Sequence, residues 1–457
     1  MARVAIIGAG ASGLSMARYV REFGGEPVIF ERGDAVGGIW RFDASAADAA
    51  RPAYASLRTN TSRKVMGFAG APFPDGPGDF PDRGEVEDYL AAYQARHALK
   101  DCGRFGATVQ AIEPGPDGQW RLSCSEASGP EVFDSVAVCS GQYKEPAIPS
   151  MYQEAQRNGV ELLHSAFYRT PDAFAGKRVL VAGVGNSGAD IAVELCKAGA
   201  NVAISAPSST WVIPKHIDGV PYDHFLTNLA IREPFKIGQG IFEGMIRREY
   251  ERRGVDLDRY RSLLGRAPLD FSRSRMTVND DLPKLASAGE LQVLSKGLGF
   301  EGRAFIDVDG RRFECDVVIT ATGFRHHFPF LPQACQPTNG GTLALYKHVF
   351  HPTVPGLCFL GMCGIVGAIF PAVELQARWA ASCFTRRSVL PGEGQMVDAV
   401  QTHNAMAAMY KVRAARVLQV DYMETLAWEL GLGTSSKRKA LINRSDDCPV
   451  VADMYLN

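Results

Sequence analysis

Residues 4–13 read Val-Ala-Ile-Ile-Gly-Ala-Gly-Ala-Ser-Gly, and residues 27–31 read Pro-Val-Ile-Phe-Glu. The β-branched run at residues 4–7 is typical of a strand that is buried on both faces. Gly8, Gly10 and Gly13 then form the motif G-x-G-x-x-G. In this motif the first glycine permits a tight turn, the second lets the backbone approach a pyrophosphate, and the third lets a helix pack on the strand.

The neighbouring residues complete a nucleotide-binding unit. Residues 14–23 are predicted to form a helix whose N-terminus faces the pyrophosphate with free N–H groups. Residues 28–30 are predicted to form the next strand, and Glu31 follows Gly13 by 18 positions. A carboxylate at that position can accept hydrogen bonds from a ribose 2′-OH and would repel a 2′-phosphate. The stretch therefore predicts a site for the ADP half of FAD or NAD.

The same pattern occurs a second time. A strand at residues 178–182 precedes Gly183-Val-Gly185-Asn-Ser187-Gly188, and a helix at 189–198 and a strand at 202–205 follow it. Further along, Asp316-Val-Val-Ile-Thr-Ala-Thr322-Gly323 aligns position for position with Asp134-Ser-Val-Ala-Val-Cys-Ser140-Gly141. These similarities indicate two nucleotide-binding folds of one design.

We therefore predict an α/β protein with two Rossmann-like dinucleotide-binding domains, the second inserted into the first. The FAD-binding domain is predicted to take residues 1–150 and 311–457, and the NAD(P)H-binding domain residues 151–310. Residues 105–141 alternate as a β-meander does. Residues 211–275 break the pattern and predict an irregular, partly helical insertion, in which the charge run at 247–253 is a solvated helix face.

Composition and charge exclude several other classes of protein. The chain has 457 residues and a net charge of −1, so it carries no basic field for nucleic acid or an anionic membrane. None of its ten cysteines forms a C-x-x-C pair, so we expect neither a metal site nor a dithiol redox site. Residues 354–373 lack charge, but glycines and prolines interrupt them, so we expect a buried strand and loop rather than a membrane helix. We expect a cytoplasmic chain without a signal peptide.

Two dinucleotide sites in one chain imply that a hydride passes from a nicotinamide to a flavin. Glu31 assigns the first site to FAD. At the matching position of the second unit stands Ala206, so no acid repels a 2′-phosphate there. No arginine stands there either, which leaves only hydroxyl side chains and Lys215 to bind a phosphate. We expect NADPH as the second cofactor and leave NADH open.

Further motifs stand in a fixed order along the chain. They are Gly8–Gly13, Glu31-Arg32, Gly37-Gly-Ile-Trp-Arg-Phe42, Tyr54-Ala-Ser-Leu-Arg-Thr-Asn60, Pro72-Phe-Pro74, His164-Ser-Ala-Phe-Tyr168, Gly183-Val-Gly-Asn-Ser-Gly-Ala-Asp190, Ala321-Thr-Gly-Phe324 and Glu374-Leu-Gln-Ala-Arg-Trp379. In these motifs the chain resembles the flavin-containing monooxygenases, the N- and S-oxygenating type of class B flavoprotein monooxygenase. Two departures are that Asn158 and Val160 replace an aromatic residue and a glycine of the family's fingerprint, and that its phosphate-binding arginine is missing.

The resemblance implies an activity and a set of site residues. NAD(P)H reduces FAD, O₂ forms a C4a-hydroperoxyflavin, and a nitrogen or sulfur atom of a small amine or sulfide takes one oxygen atom. By resemblance, Asn60 is the catalytic residue, whose amide holds the peroxide or NADP⁺. The residues assigned to FAD are Gly8, Gly10, Ala11, Ser12, Gly13, Glu31, Arg32, Gly38, Ile39, Trp40, Arg58, Thr59, Asn60 and Val109. Those assigned to NAD(P)H are Gly183, Gly185, Asn186, Ser187, Gly188, Asp190, Ser205, Ser208, Thr322 and Gly323.

Two other activities stay open. A Baeyer–Villiger oxygenase would act on a ketone, and its usual fingerprint has tryptophan where Tyr168 stands. An NAD(P)H oxidase or flavin reductase would release H₂O₂ instead of an oxygenated product. A homodimer is also left open.

Some residues of the motifs have two interpretations. His164 is predicted to be a structural, hydrogen-bonded histidine rather than an acid–base catalyst. Trp40 either fills the core or packs against the flavin. Glu374, Gln376 and Arg378 precede Trp379 on a predicted helix, which either starts beneath the flavin or presents these residues on a plain surface.

Overall fold

The computed structural model describes residues 1–44, 52–115, 117–127, 129–206, 210–225, 235–256, 275–339, 342–410 and 415–432. Its α-helices are Ala11–Glu22, Arg63–Met66, Arg83–Arg96, Ser150–Arg157, Asn186–Lys197, Phe235–Arg252, Leu282–Ala288, Ile369–Phe384, Glu393–Met409 and Gln419–Glu429. Across these described residues, no helix combines the length and the apolar character that crossing a membrane requires.

The chain folds into two compact units, and the second is inserted into the first. The first unit comprises Met1–Arg41, Thr61–Gln142 and the described residues from His326 onward, and the second comprises Phe42–Asn60 and Tyr143–Arg325. The inserted arrangement that the repeat predicts is therefore confirmed.

A five-stranded parallel sheet forms the centre of the first unit. Its strands, in spatial order, are Leu357–Phe359, Ser135–Val138, Arg3–Ile7, Glu26–Glu31 and Gly103–Phe105. The strand Arg3–Ile7 is central and all but its first residue are buried, which explains its β-branched composition. A second, antiparallel sheet contains Val109–Pro114, Trp120–Cys124 and Glu131–Phe133. The predicted meander thus exists, but Ser135–Val138 leaves it to join the parallel sheet.

The second unit is built on a parallel sheet of the same kind. Its strands, in spatial order, are Gln292–Leu294, Asn201–Ser205, Arg178–Ala182, Val317–Thr320 and Glu161–His164. An antiparallel sheet of Gly297–Glu301, Ala304–Asp307 and Arg312–Glu314 accompanies it. Short strand pairs complete this unit, namely Thr210–Ile213 with Arg275–Val278, His216–Ile217 with Val220–Pro221, and Glu145–Pro146 with Phe324–Arg325.

The unit boundaries differ from the predicted domain boundaries at three places. Residues 143–150 belong to the second unit, where Glu145–Pro146 pairs with Phe324–Arg325. Residues 311–325 belong to the second unit, because the strand Val317–Thr320 pairs with Arg178–Ala182 and Glu161–His164. Residues 42–60 also belong to the second unit, where the Ala55 N–H donates to the Arg169 carbonyl at 3.0 Å. Pairing between distant segments decides all three assignments, and the spacing of the motifs carries no information about such pairing.

Candidate functional site

The first glycine loop, Gly8–Gly13, joins the strand Arg3–Ile7 to the helix Ala11–Glu22. Gly8 has a φ of 107° and its N–H donates to the Phe30 carbonyl at 2.8 Å. A Cβ on Gly8 would lie 2.8 Å from the Cys139 carbonyl oxygen, and one on Gly13 would lie 1.9 Å from the Gly8 carbonyl oxygen. Packing within the protein therefore requires glycine at both positions.

The second glycine loop, Gly183–Gly188, repeats this geometry in the second unit. Gly183 has a φ of 111° and its N–H donates to the Ser205 carbonyl at 3.0 Å. A Cβ on Gly183 would lie 2.6 Å from the Ala321 carbonyl oxygen, and one on Gly188 would lie 2.0 Å from the Gly183 carbonyl oxygen. The two glycine loops that the sequence repeat predicts thus share the same backbone hydrogen bond and the same close approaches.

The middle glycine of each loop has a different environment. A Cβ on Gly10 would meet the Gly38 Cα at an ordinary 3.5 Å, and one on Gly185 would meet no atom of the described residues within 4 Å. Both glycines are the N-cap residues of their helices and provide no side-chain cap. Each loop therefore offers uncapped N–H groups beside a surface that a Cβ would obstruct. This cradle fits the pyrophosphate of a dinucleotide.

Glu31 is bound to the first glycine loop. Its carboxylate oxygens accept the backbone N–H groups of Ala9 and Gly33, each at 2.8 Å. The carboxylate can accept further hydrogen bonds, since each oxygen has two lone pairs. Glu31 thus fixes the shape of the loop and remains half-buried at its edge.

The other first-unit residues assigned to FAD differ in exposure. Gly38, Ile39 and Trp40 form one 3₁₀ turn, in which Ile39 is 38% exposed and Trp40 is half-buried. Trp40 is therefore not one of the buried core residues, which contradicts the first of its two interpretations. Val109 packs against the hydrophobic core, and Arg32 is exposed.

Gly361, in the C-terminal half of the chain, lies next to the first glycine loop. A Cβ on Gly361 would lie 3.3 Å from Oγ of Ser12, so the two backbones approach closely. The Gly361 N–H donates to Oε1 of Gln376 at 2.9 Å. Gln376 therefore holds the Gly361 backbone beside the loop to which FAD is assigned.

Arg58, Thr59 and Asn60 belong to the second unit. Arg58 is exposed, whereas Thr59 is buried. The Thr59 carbonyl accepts from Nζ of Lys215 at 3.3 Å, and the Asn60 carbonyl accepts from the Tyr222 hydroxyl at 2.8 Å. Oδ1 of Asn60 is buried and has no hydrogen-bond partner among the described residues.

Asn186 and Asp190 lie on the helix that follows the second glycine loop. Oδ1 of Asn186 accepts the Val278 N–H at 2.9 Å. The Asp190 carboxylate accepts from the Tyr54 hydroxyl at 2.7 Å and from Nδ2 of Asn279 at 2.8 Å. Burial raises the pKa of Asp190, and these two hydrogen bonds oppose that effect. Both residues therefore connect neighbouring segments to the helix.

The other residues assigned to NAD(P)H differ in solvent exposure and in the hydrogen bonds that they make within the protein. Ser187 is exposed at the helix start, whereas Ser205 is buried and its hydroxyl donates to the Ser295 carbonyl at 3.0 Å. The Ser205 hydroxyl is therefore already hydrogen-bonded within the protein, and its assignment to NAD(P)H stays a prediction. The Thr322 hydroxyl donates to the Ala147 carbonyl, and the Gly323 carbonyl accepts the Ala147 N–H. Ser208 lies outside the described residues.

His164 is structural, as predicted. Its buried ring accepts the Ala166 N–H at Nδ1 and lies 3.1 Å from the Gly323 carbonyl at Nε2. This pattern corresponds to the neutral ring with the proton on Nε2, and burial lowers its pKa. An imidazole bonded on both sides to backbone groups positions the chain and is not available to exchange protons.

Glu374 is buried, which contradicts the second of its two interpretations, a plain helix surface. Its carboxylate accepts from Nη1 of Arg18 at 2.8 Å, from the Tyr19 hydroxyl at 3.2 Å and from the Ala69 N–H at 2.7 Å. Gln376 is also fully buried. Through Arg18 and Tyr19, Glu374 connects the helix Ile369–Phe384 to the helix Ala11–Glu22.

Sequence reasoning missed a hairpin in the second unit. The strands His216–Ile217 and Val220–Pro221 pair across a turn in which Asp218 and Gly219 both have positive φ. An Asp-Gly pair between two short strands is a strong signal for such a turn, and it was available in the sequence.

The charge run at 247–253 is also not a simple solvated face. Glu249 is buried, and its carboxylate accepts from Arg252, from Arg253 and from the Asp218 N–H of the hairpin. Because a buried carboxylate is stable only when it is paired, this glutamate fixes the hairpin to the helix.

Comparison with known proteins gives one consistent result. The family described as flavin-binding monooxygenase-like matches residues 1–442. Flavin-containing monooxygenase 5 of Oryctolagus cuniculus is 35% identical over 438 residues, which cover 93% of this chain and 81% of the relative. Flavin-containing monooxygenase 2 of Homo sapiens is 33% identical over 450 residues, which cover 94% of this chain and 82% of the relative.

Two solved structures are similar along nearly the whole chain. The S-allyl-L-cysteine S-oxygenase of Allium sativum has a TM-score of 0.67 at 25% identity and covers 97% of this chain and 91% of its own. An open structure of cyclohexanone monooxygenase has a TM-score of 0.66 at 16% identity and covers 94% of this chain and 98% of its own. At that identity the second similarity shows the fold alone.

Proposed function

Because the chain belongs to the flavin-binding monooxygenase-like family, we propose that Asn60 couples its consumption of NADPH to oxygenation of a nitrogen or sulfur atom. The chain is an NADPH-dependent monooxygenase that uses FAD and O₂ and acts on small molecules. Bound FAD supplies the oxygen-activating chemistry, and NADPH supplies the hydride. The similarity to an S-oxygenase supports a soft acceptor atom.

The chain's own contribution to binding begins with the two glycine loops. We assign FAD to the loop Gly8–Gly13 and NADPH to the loop Gly183–Gly188. In each, the helix N-terminus directs uncapped N–H groups and its positive dipole end toward a pyrophosphate. Glu31 supports the first assignment, because a carboxylate there suits the unphosphorylated ribose of FAD.

The observation that carries the proposal is the unpartnered Oδ1 of Asn60. This oxygen is buried, and none of the described residues donates to it. Leaving a buried acceptor unsatisfied costs about 1–3 kcal/mol, so such an atom calls for a functional explanation. An amide can donate from nitrogen and accept at oxygen without changing its charge with pH. Asn60 is therefore suited to hold a cofactor or an oxygen-derived group during the reaction.

The test is to compare Asn60→Ala with the wild-type enzyme. We expect FAD reduction by NADPH at a nearly normal rate, because Asn60 is not part of either glycine loop. Formation of oxygenated product is expected to fall by about 10²–10³, as when an oxyanion-hole donor is removed, while H₂O₂ release rises. NADPH consumption, H₂O₂ and oxygenated product are measured together with an amine, a sulfide and a ketone.

Asn404→Ala is the matched control. Oδ1 of Asn404 is also buried without a partner among the described residues, but this asparagine lies in the helix Glu393–Met409. The control is expected to keep wild-type coupling. If Asn60→Ala also keeps it, the proposed role of Asn60 is wrong. A wild-type enzyme that oxygenates only the ketone would identify a Baeyer–Villiger enzyme, and one that yields only H₂O₂ would identify an oxidase.

A further inference from the structure

The backbone on both sides of Asn60 is held by one small hairpin, residues 215–222. Nζ of Lys215 donates to the Thr59 carbonyl at 3.3 Å, and the Tyr222 hydroxyl donates to the Asn60 carbonyl at 2.8 Å. The two donors are themselves neighbours across the hairpin, because the Tyr222 N–H donates to the Lys215 carbonyl at 2.9 Å.

These two hydrogen bonds restrict the direction in which the Asn60 side chain leaves the backbone. The Thr59 carbonyl belongs to the peptide plane that precedes the Asn60 Cα, and the Asn60 carbonyl belongs to the plane that follows it. Because peptide units are planar, holding both carbonyls restricts both φ and ψ of Asn60. The direction of its Cα–Cβ bond follows from those two angles.

The hairpin is itself held firmly. The Lys215 N–H donates to the Asp280 carboxylate at 3.0 Å, and the Asp218 N–H donates to the Glu249 carboxylate at 3.1 Å. Arg253 joins the two carboxylates and also donates to the His216 carbonyl at 3.0 Å. Tyr222 is buried, and burial raises the pKa of its phenol, so the hydroxyl stays a neutral donor.

We propose that the 215–222 hairpin is the positioning element for Asn60, and that Tyr222 is its principal positioning residue. The inference rests on the proposed function of Asn60 and extends it. The Tyr222 hydroxyl donates to the Asn60 backbone, so its effect on the reaction passes through the orientation of the Asn60 amide. Loss of the hydroxyl should therefore reduce coupling without affecting FAD reduction.

Tyr222→Phe tests the inference, and Tyr250→Phe is its matched control. Tyr250 is buried in the same unit, and its hydroxyl donates to the Val212 carbonyl at the same 2.8 Å. We expect Tyr222→Phe to raise the fraction of NADPH that ends as H₂O₂ by roughly three- to tenfold, the factor that one hydrogen bond typically represents. The rate of FAD reduction and the melting temperature should change no more than they do in Tyr250→Phe.

A double variant separates this inference from the proposed function. If Tyr222 acts through Asn60, then Asn60→Ala combined with Tyr222→Phe is no less coupled than Asn60→Ala alone. Equal coupling in Tyr222→Phe and Tyr250→Phe would overturn the inference while a loss in Asn60→Ala still supported the proposed function. An additional loss in the double variant would also overturn it.

Lys215→Met provides a second, independent variant. It retains most of the aliphatic length of the side chain and removes the ammonium that donates to the Thr59 carbonyl. We expect the same rise in the fraction of NADPH that ends as H₂O₂, measured at saturating NADPH because Lys215 is also a candidate to bind its phosphate. If neither Lys215→Met nor Tyr222→Phe alters coupling, the hairpin does not position Asn60.

Discussion

The Cα of Gly188 lies so close to the Gly183 carbonyl oxygen that a Cβ on Gly188 would come within 2.0 Å of it. The same Cβ would lie 3.2 Å from the Cβ of Ala321. Gly185, three residues earlier, has open space at the equivalent point. The protein's own packing therefore explains the last glycine of the motif, whereas no contact among the described residues explains the middle one.

Gly185→Ala is accordingly expected to reduce NADPH affinity, and Gly188→Ala is expected to reduce stability. Gly185→Ala should weaken NADPH binding by about tenfold or more, which is about 1.4 kcal/mol, with little change in melting temperature. Gly188→Ala should destabilise the second unit by about 1–3 kcal/mol, because the new methyl group overlaps backbone. Titration calorimetry with NADPH and thermal unfolding measure the two effects. Strong NADPH binding by Gly185→Ala would contradict the assignment of this loop.

Glu31 is expected to control FAD binding. Glu31→Ala leaves the Ala9 and Gly33 N–H groups without their acceptor, so FAD affinity should fall by about 1–3 kcal/mol. The apoprotein is titrated with FAD to measure the change. Glu26→Ala, at the other end of the same strand, is the control and should bind FAD as the wild type does. Unchanged FAD affinity in Glu31→Ala would contradict the assignment of FAD to the first loop.

The parts of the site that could be predicted are those specified by local spacing. The two glycine loops follow from residues close together in the sequence, because a turn, a helix start and a short strand are local structures. The insertion of one unit into the other follows from the repeat of residues 134–141 at 316–323. The structural role of His164 was also predicted, and both of its hydrogen bonds go to backbone groups.

The parts that could not be predicted depend on distant partners. Glu374 is buried because Arg18, 356 residues earlier, supplies a cation. The Ser205 hydroxyl faces the interior because the Ser295 carbonyl lies there. No spacing rule connects such pairs. Asp218 and Gly219 are different, since their turn was encoded locally and was overlooked.

The Arg18–Glu374 pair is expected to stabilise the first unit. Glu374→Ala removes the buried carboxylate and leaves Arg18 with hydrogen bonds to Glu22, the Tyr93 hydroxyl and the Ala69 carbonyl. Breaking such a buried pair costs about 3–5 kcal/mol. Urea unfolding of the holoenzyme measures the loss. The double variant Arg18→Leu with Glu374→Leu should recover part of it, because it leaves no buried charge unpaired. A double variant less stable than Glu374→Ala would contradict this explanation.

The stability of the protein is expected to depend on pH through His164. Burial lowers the pKa of His164 in the folded state, whereas the unfolded chain has the ordinary value of about 6.5. Below that value the unfolded state binds a proton that the folded state does not, so this contribution to stability is present above about pH 6.5 and decreases as the pH falls toward the folded-state pKa.

His164→Gln tests this contribution, because it retains a side-chain donor for the Gly323 carbonyl and cannot titrate. At pH 8 it should be less stable than the wild type, because the Ala166 N–H loses its acceptor. As the pH falls to about 5.5 the difference should shrink by up to about 1.4 kcal/mol per unit, since only the wild type loses stability at this position. Other buried histidines, such as His348, whose pKa burial lowers to about 3, contribute equally to both proteins and cancel in the difference. Unfolding free energies of both proteins across this range decide the matter, and a gap that stays constant would contradict the neutral, buried state of His164.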